Sequence, residues 1–292
     1  MSLAAVTLFR AGLSPARRLK SLLMIAGIWT IAVVALVPLI LVFYYLLHKG
    51  LPAVDLNFFT QLPAPVGQAG GGMANALLGS VVMIGLAALA GVPLGILGGA
   101  YLSEFGTGKT AAMLRFAIDM LASVPSIVVG LFAYTIIVLP TKSFSAWAGA
   151  AALMVIMLPI VAKTTEEVLK LIPDHIREAG LALGIPRWKV ILFIVLAGAK
   201  GPVATGVILA IARVSGETAP LIFTAFGSRY WISTLSEPVA SLPVQIYQYA
   251  ISPFDEWHRQ AWAGALLLVV LVFVLNLTTR VVMSRSGVRR ER

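Results

Sequence analysis

Three features of the sequence predict an all-α integral membrane protein with six transmembrane helices. Hydrophobic residues fill 59% of the 292 positions and charged residues only 12%, about half the charged share of a soluble domain. Such a chain exposes too much apolar surface to stay in water. Six apolar segments reach the ~20 residues that a spanning helix needs: Leu22–Leu47, Ala74–Leu102, Phe116–Leu139, Phe144–Ala162, Pro202–Ala225 and Ala261–Val282. The basic residues between them alternate from loop to loop. Lys49, Lys142, Arg229 and Arg259 occupy one set of loops; every other Lys and Arg except Arg213 falls in the other set or in the tails. The positive-inside rule then puts both termini in the cytoplasm. These segments facing anionic lipid also account for the net charge of +10, so nucleic acid is not expected as a partner. Without cysteine, disulfide and thiolate chemistry are excluded.

In chain order, residues 1–21 are a basic cytoplasmic N-terminus carrying Arg10, Arg17, Arg18 and Lys20. Residues 22–73 hold the first span and an outer loop that ends in the glycine-rich connector Gly67–Gly72. That first apolar run is far longer than the ~7–15 residues of a signal-peptide core and lacks a small-residue cleavage site, so it is retained. Residues 74–282 form the main membrane core with a cytoplasmic loop at 163–201, and 283–292 are a basic cytoplasmic tail. Asp119 and Lys200 lie near span ends and read as solvated, snorkelling side chains. Ser123 and Ser126 flank Pro125 and have the hydroxyls to satisfy a proline break. The outer stretch Gly227–Gln260 reads as a long loop whose Tyr230, Trp231, Tyr247, Tyr249 and Trp257 form an interfacial aromatic belt.

Two apparent nucleotide or metal signals fail. "SEFGTGKT" (Ser103–Thr110) has serine where a phosphate-binding loop needs its first glycine, and follows a membrane helix rather than a strand. The chain is therefore expected to have no ATPase site of its own. His48, His175 and His258 fall in three separate loops, so no metal-ligand cluster is expected.

The chemistry concentrates in "AIARVSGETAPLIF" (Ala210–Phe223), where Arg213 and Glu217 stand one helical turn apart inside a span. If the helix enters the hydrocarbon at Pro202, Arg213 lies ~16 Å in, near the middle of a ~30 Å core. A charge there costs at least ~2.5–3.5 kcal/mol and must face a partner or a watered cavity. Pro220 removes the helical donor to the Gly216 carbonyl, so Gly216 and Pro220 form a hinge and the helix kinks at 216–219. Irregular backbone at this depth is tolerated where it lines a cavity. The stretch therefore reads as the polar wall of a substrate pathway, with a structural ion pair as the competing reading. Arg213 offers a planar fork suited to oxyanions. Glu217 holds Arg213 when the path is empty and can take the proton of a monobasic phosphate, which sulfate lacks. Ser215, Thr218 and Thr224 are further hydroxyl donors.

The cytoplasmic "IPDHIREAGLALGIPRWK" (Ile172–Lys189) predicts a short helix of ~9 residues. Asp174 serves as N-cap, Gly184 stands at C′ and Pro186 follows. At ~14 Å the helix is too short to cross a bilayer. Ile176, Ala179, Gly180 and Leu183 share one apolar face, which fits either the membrane surface or a cytoplasmic partner.

Here the chain resembles a known family. "EAGLALG" (Glu178–Gly184) is similar to the EAA loop of ABC-importer permeases, with Gly180 for its third alanine. Ile194 and Leu196 match the loop's ending, but Ala197 replaces its final proline. "LGILGGAYLSEFG", "ASVPSIVVGLF", "SGETAPLIFTAFG" and "SLPVQIYQYA" resemble the PstA-type permeases of phosphate importers. The resemblance runs from about Asn75 to the C-terminus. It implies the type I, MetI-like permease fold in a bacterial cytoplasmic membrane. It implies four kinds of subunit: this chain, a homologous PstC-type permease, a dimer of a cytoplasmic ATPase that binds the ATP, and an external phosphate-binding protein. Glu178, Ala179, Gly180 and Gly184 would seat in the ATPase, and no cofactor would be bound by this chain itself. The alternatives are a permease for sulfate, molybdate or phosphonate, a self-contained secondary transporter or channel, or a transport-free anchor. Against the secondary transporter, only one strongly broken span is legible.

Overall fold

The computed structural model describes residues 15–65, 68 and 70–286. The predicted tails at 1–21 and 283–292 and the connector at 67–72 lie wholly or partly outside them. The described chain is helical; its one β pairing is an isolated bridge between Pro63 and Gly71. It divides into two units, Met1–His48 and Lys49–Arg292. Among the described residues the first is formed by α1 (Pro15–Gly50), which ends just past the boundary and contains the first predicted span and Pro38.

The second unit holds the other elements. Helices α2 (Ala74–Glu104), α5 (Ala146–Lys170) and α11 (Asp255–Ser286) are, with α1, long and apolar enough to cross a bilayer. Two further spans are bent. Helix α3 (Lys109–Ser123) meets α4 (Ser126–Thr141) at 102°, and α7 (Arg187–Gly198) meets α8 (Lys200–Ser215) at 75°. Counting each bent pair as one span gives six. The elements between are the short helical turns Leu51–Ala53 and Leu56–Thr60 before α2, and the helices α6 (Asp174–Ala182), α9 (Ala219–Thr224) and α10 (Leu242–Ala250).

The sequence reading treated Phe116–Leu139 as one span. Pro125 divides it because the residue before a proline is pushed out of the helical region. Val124 sits at φ −66°, ψ 130°, and a new helix starts at Ser126. The Ser123 hydroxyl donates to the Met120 carbonyl at 2.8 Å. The fifth span likewise begins earlier than Pro202: α7 approaches it, turns at Ala199 and continues as α8. The chain therefore has two bent spans besides the break at 216–218, and the count of one broken span is corrected. The expected loop Gly227–Gln260 is also not a loop throughout. It contains α10, and Tyr249 is buried there with its ring stacked 4.6 Å from that of Trp257.

Helix α5 is the central post. Along one side, Gly91, Gly95 and Gly99 of α2 recur every four residues and let the two backbones approach closely. A Cβ at Gly95 would stand 2.8 Å from Val161 Cβ, and one at Gly99 would collide with the Ala162 carbonyl and Thr165. On other sides of α5, Thr164 fills the space over Gly206 of α8, and Gly149 receives Leu221 and Ala225 from the α9 region. Ser145 caps α5, its hydroxyl accepting the Ala148 N–H at 3.1 Å. The resulting core joins Met83, Leu153, Met157, Val161, Val214 and Leu221.

Gly95→Leu should force this contact apart and destabilise the fold by about 1–3 kcal/mol or more. Gly98→Ala, on the same helix with no neighbour within 4 Å of its Cβ position, should be neutral. Thermal unfolding of the two purified variants in detergent tests the contrast.

Candidate functional site

Helix α8 stops at Ser215 and α9 starts at Ala219, so three residues interrupt the span where the sequence predicted a kink. Arg213 lies in the last turn of α8, where the partial negative charge of a helix end favours a cation. Its Nη1 is 3.2 Å from Glu217 Oε1. The pair is asymmetric: the Glu217 side chain is 9% exposed and that of Arg213 63% exposed. The carboxylate is thus held in the protein while the guanidinium keeps most of its donors free. The Glu217 N–H closes the turn onto the Val214 carbonyl at 3.2 Å.

The hinge is made differently from the expectation. Gly216 sits at φ −97°, ψ 0°, a conformation open to any residue. Pro220 occupies the first turn of α9, where its missing N–H costs no helical bond. Pro220 is instead a packing surface: a Cβ on Gly130 of α4 would come 2.5 Å from its Cα. The break is therefore walled by α4.

The hydroxyls separate into available and engaged. Ser215 donates to the Ile211 carbonyl at 2.7 Å and Thr224 to the Pro220 carbonyl at 2.7 Å. Both are buried, so neither proton is free for an anion. Ser215 instead borders an apolar cavity of about 620 Å³ beside Ile211 and Leu271, on a face of α8 that Arg213 does not share. Thr218 is half-buried, and its hydroxyl makes no hydrogen bond among the described residues. Arg213, Glu217 and Thr218 therefore remain as the polar face of the break.

At one end of the molecule stands α6, the predicted short amphipathic helix. Its C-terminus carries a Schellman motif: Gly184, at φ +74°, donates to the Leu181 carbonyl at 2.9 Å, and Ile185 donates to Gly180 at 3.3 Å. Pro173, not Asp174, is the capping residue; the Asp174 carboxylate turns to Arg177 at 3.3 Å. The expected apolar face divides. Gly180 is buried, and a Cβ there would stand 2.9 Å from Val190 Cγ2, so it seats α6 on α7 and is unavailable to a partner. Glu178, Ala179 and Leu183 point outward. Ala197, the departure from the family pattern, leaves α7 helical through Gly198.

The side chains that hold α6 in place were not legible as a group. Glu104, at the end of α2, receives both Nε and Nη2 of Arg177, with contacts of 2.7–3.1 Å. The same guanidinium donates to the carbonyls of Leu169 at 2.9 Å and Ile172 at 2.6 Å. Arg187 donates to the Glu104 carbonyl at 2.6 Å and lies over the Phe105 ring. The stretch that mimicked a phosphate loop is thus the anchor of α6. Nearby, Arg115 bonds Glu166 at 2.7 Å and the carbonyls of Leu102 and Gly106, closing the end of α2. Asp119, expected to be solvated alone, pairs with Lys163 at 2.6 Å.

A family model described as "Binding-protein-dependent transport system inner membrane component" matches residues 91–288. The phosphate transport system permease protein PstA of Xylella fastidiosa (strain 9a5c) is 49% identical over 248 residues, covering 84% of this chain and 86% of that one. PstA of Yersinia pestis is 47% identical over 249 residues, 85% and 84% of the two chains. The chain belongs to the PstA family of these transport permeases.

Solved structures show the same fold in more distant permeases. The match to the MetNI methionine ABC transporter has a TM-score of 0.57 at 18% identity and covers 73% of this PstA-family chain and 94% of that one. The match to a bacterial alginate ABC transporter has a TM-score of 0.61 at 13% identity, covering 91% and 95%. At these identities the likeness concerns fold alone. It is the MetI-like permease fold expected from the sequence, in a multi-pass membrane protein.

Removing one side of the Glu104–Arg177 pair should cost about 3–5 kcal/mol, because the other charge stays buried. Arg177→Ala should therefore lower the unfolding temperature of the purified permease. Hydrogen bonds donated to the Glu104 carboxylate hold the Arg177 guanidinium above its ordinary range. A raised basic group stabilises fully below its unfolded value and loses that contribution only as pH climbs through the raised one. The wild-type unfolding temperature should accordingly not respond to this pair between neutral and mildly alkaline pH.

Proposed function

We propose that this chain is a permease subunit of an ATP-driven importer that moves inorganic phosphate across the bacterial cytoplasmic membrane, with both termini inside. Two observations support the substrate: relatives named as phosphate transport permeases, and the Arg213–Glu217 pair at a break in a span. The pair carries the reading. Arg213 supplies a charged, planar donor fork with free N–H groups, suited to bidentate contact with an oxyanion. Glu217 keeps that fork oriented while the path is empty. Toward a monobasic phosphate it accepts a proton, so the anion binds as a donor as well as an acceptor; sulfate has no proton to offer. Thr218 adds a hydroxyl, and Pro220 against Gly130 fixes the wall of the break.

The chain carries no ATPase site in this reading and binds no cofactor of its own. ATP is bound by a separate ATPase dimer that engages α6 through Glu178, Ala179 and the exposed Leu183. A homologous PstC-type permease completes the pathway, and an external phosphate-binding protein delivers the anion. Coupling requires contacts that differ between inward and outward states. The anchor of α6 on Glu104 lets force applied there reach α2.

The test is uptake of labelled phosphate by the assembled complex in proteoliposomes. Loss of a charge-assisted contact worth about 1.5–3 kcal/mol predicts a fall of roughly ten- to a hundredfold for Arg213→Ala, with the complex still assembled. Glu217→Gln should let sulfate compete with phosphate. Full uptake in Arg213→Ala would make the pair structural, and unchanged selectivity in Glu217→Gln would remove the proton-accepting role.

A further inference from the structure

At the end of α2 opposite α6 there is a polar pocket to which the sequence reading gave no role, although Ser241, Gln245 and Tyr249 of its wall belong to the stretch "SLPVQIYQYA". Two contacts fix its place: Asn75 Nδ2 donates to the Ser228 carbonyl at 2.6 Å, and Gly79 packs under the Ala240 carbonyl. Phe226, Arg229, Ser241, Gln245, Gln248 and Tyr249 are among its walls, around a volume of about 180 Å³. That is many times the space one water needs.

Its chemistry is one-sided. Gln245 is 6% exposed and Ser241 2%, and Gln245 Nε2 and Ser241 Oγ are buried without a hydrogen-bond partner. Tyr249 carries its hydroxyl beside the Gln245 amide and within the field of Arg229. Arg229 lies over the Trp257 ring at 5.2 Å and forms no ion pair among the described residues. Among the described residues no carboxylate lines the pocket. Of the nearby acids, Glu237 accepts from Ser233 at 2.5 Å, Glu256 lies 3.5 Å from Arg259, and Asp255 is exposed in the same turn as Trp257. Donors without partners, a cation outside any ion pair and no acid suit a small oxyanion, while a cationic solute would be repelled.

The wall is also held in an unusual backbone. Phe226 has φ +61° and Gly227 φ +128°. A bulky residue at positive φ costs energy and persists only where its surroundings enforce it. Here Phe226 stacks on Phe144 at 5.0 Å, and the Val239 N–H bonds the Ala225 carbonyl at 3.3 Å. The turn opens the pocket directly after α9, and α9 is only six residues long, ~9 Å. One short helix therefore separates the pocket from Glu217.

We propose that this pocket is a second oxyanion site, in which Arg229, Gln245 and Ser241 hold inorganic phosphate before it reaches Arg213. The assignment rests on the phosphate-importer reading above and adds a receiving step to it. Arg229 draws the anion to the mouth. The buried amide and hydroxyl replace part of its hydration, and the anion then passes along α9 to the break.

The experiment uses the complete complex in proteoliposomes with phosphate-loaded binding protein outside, reading labelled phosphate uptake and ATP hydrolysis together. The variants are Arg229→Gln, Gln245→Leu and Ser241→Ala; the last removes a donor with almost no change of shape, so at least one variant assembles. The expected result is uptake reduced roughly tenfold in the first two and severalfold in Ser241→Ala, with stimulated ATP hydrolysis within about twofold of wild type. The half-saturating concentration of loaded binding protein should not move. If that concentration rises, the surface docks the binding protein and holds no anion. If uptake and hydrolysis fall in proportion, the pocket acts on coupling, and if uptake is unchanged in all three it holds only water; each result overturns the proposal. Failure of the importer reading is distinguishable, because the unmutated complex would then move no phosphate, and the receiving site would fall with it.

Discussion

The close approach of α2 to α5 is the contact on which the rest of the second unit depends. With no water to drive helices together inside a bilayer, association relies on packing and on the few polar bonds available. Gly91, Gly95 and Gly99 give α5 a groove to lie in. Once α5 is held there, its other faces set the remaining elements. Thr164 positions α8, Gly149 accepts the residues around α9, and Glu166 takes Arg115. A side chain at any of these glycines would displace the break after Arg213 as well as the helix that carries it.

The same packing makes α2 a rigid connector. It is 31 residues long, ~46 Å as a helix. Its last residue holds Arg177 of α6, and its first turns hold Ser228 and Ala240 beside the polar pocket. The break at Arg213 lies on α8, which packs against both α2 and α5. Three chemically distinct places, the anchored helix, the break and the pocket, thus share one framework without touching one another.

Charge is placed by a consistent rule along this framework. At the α6 end, buried carboxylates are paired with more than one donor: Glu104 with the Nε and Nη2 of Arg177, Glu166 with Arg115 and Lys170. Such pairs favour a unique geometry more than net stability. At the break the arrangement differs, because only the acid is buried and the guanidinium stays largely free. The distinction between a satisfied and an unsatisfied cation separates the pairs near α6 from the one at the break.

Composition and span length were enough for the membrane class and for six apolar segments, four of them met by single long helices and two by bent pairs, since hydrocarbon admits few backbone solutions. The turn chemistry of α6 was also legible, because Gly184 and Pro186 act on their own neighbours; the place of the break after Arg213 was legible too, although Pro220 acts there by packing on Gly130. The Arg213–Glu217 contact was legible for the same reason, being one helical turn. The bends at Pro125 and Ala199 were only half legible: a proline marks where a helix stops, while the angle at which the chain resumes depends on what it packs against. Glu104 and Arg177 stand 73 residues apart, and each looks alone like a solvated charge. Gly180 has the pattern of an exposed face and is buried against Val190. Tyr249 has the composition of an aromatic belt and lies inside a pocket wall. The sequence by itself determined the local elements, the class and the family. Which charges pair, which hydroxyls are already engaged and which glycines face another helix were decided by the tertiary structure, because those contacts join residues whose separation along the chain carries no periodic signal.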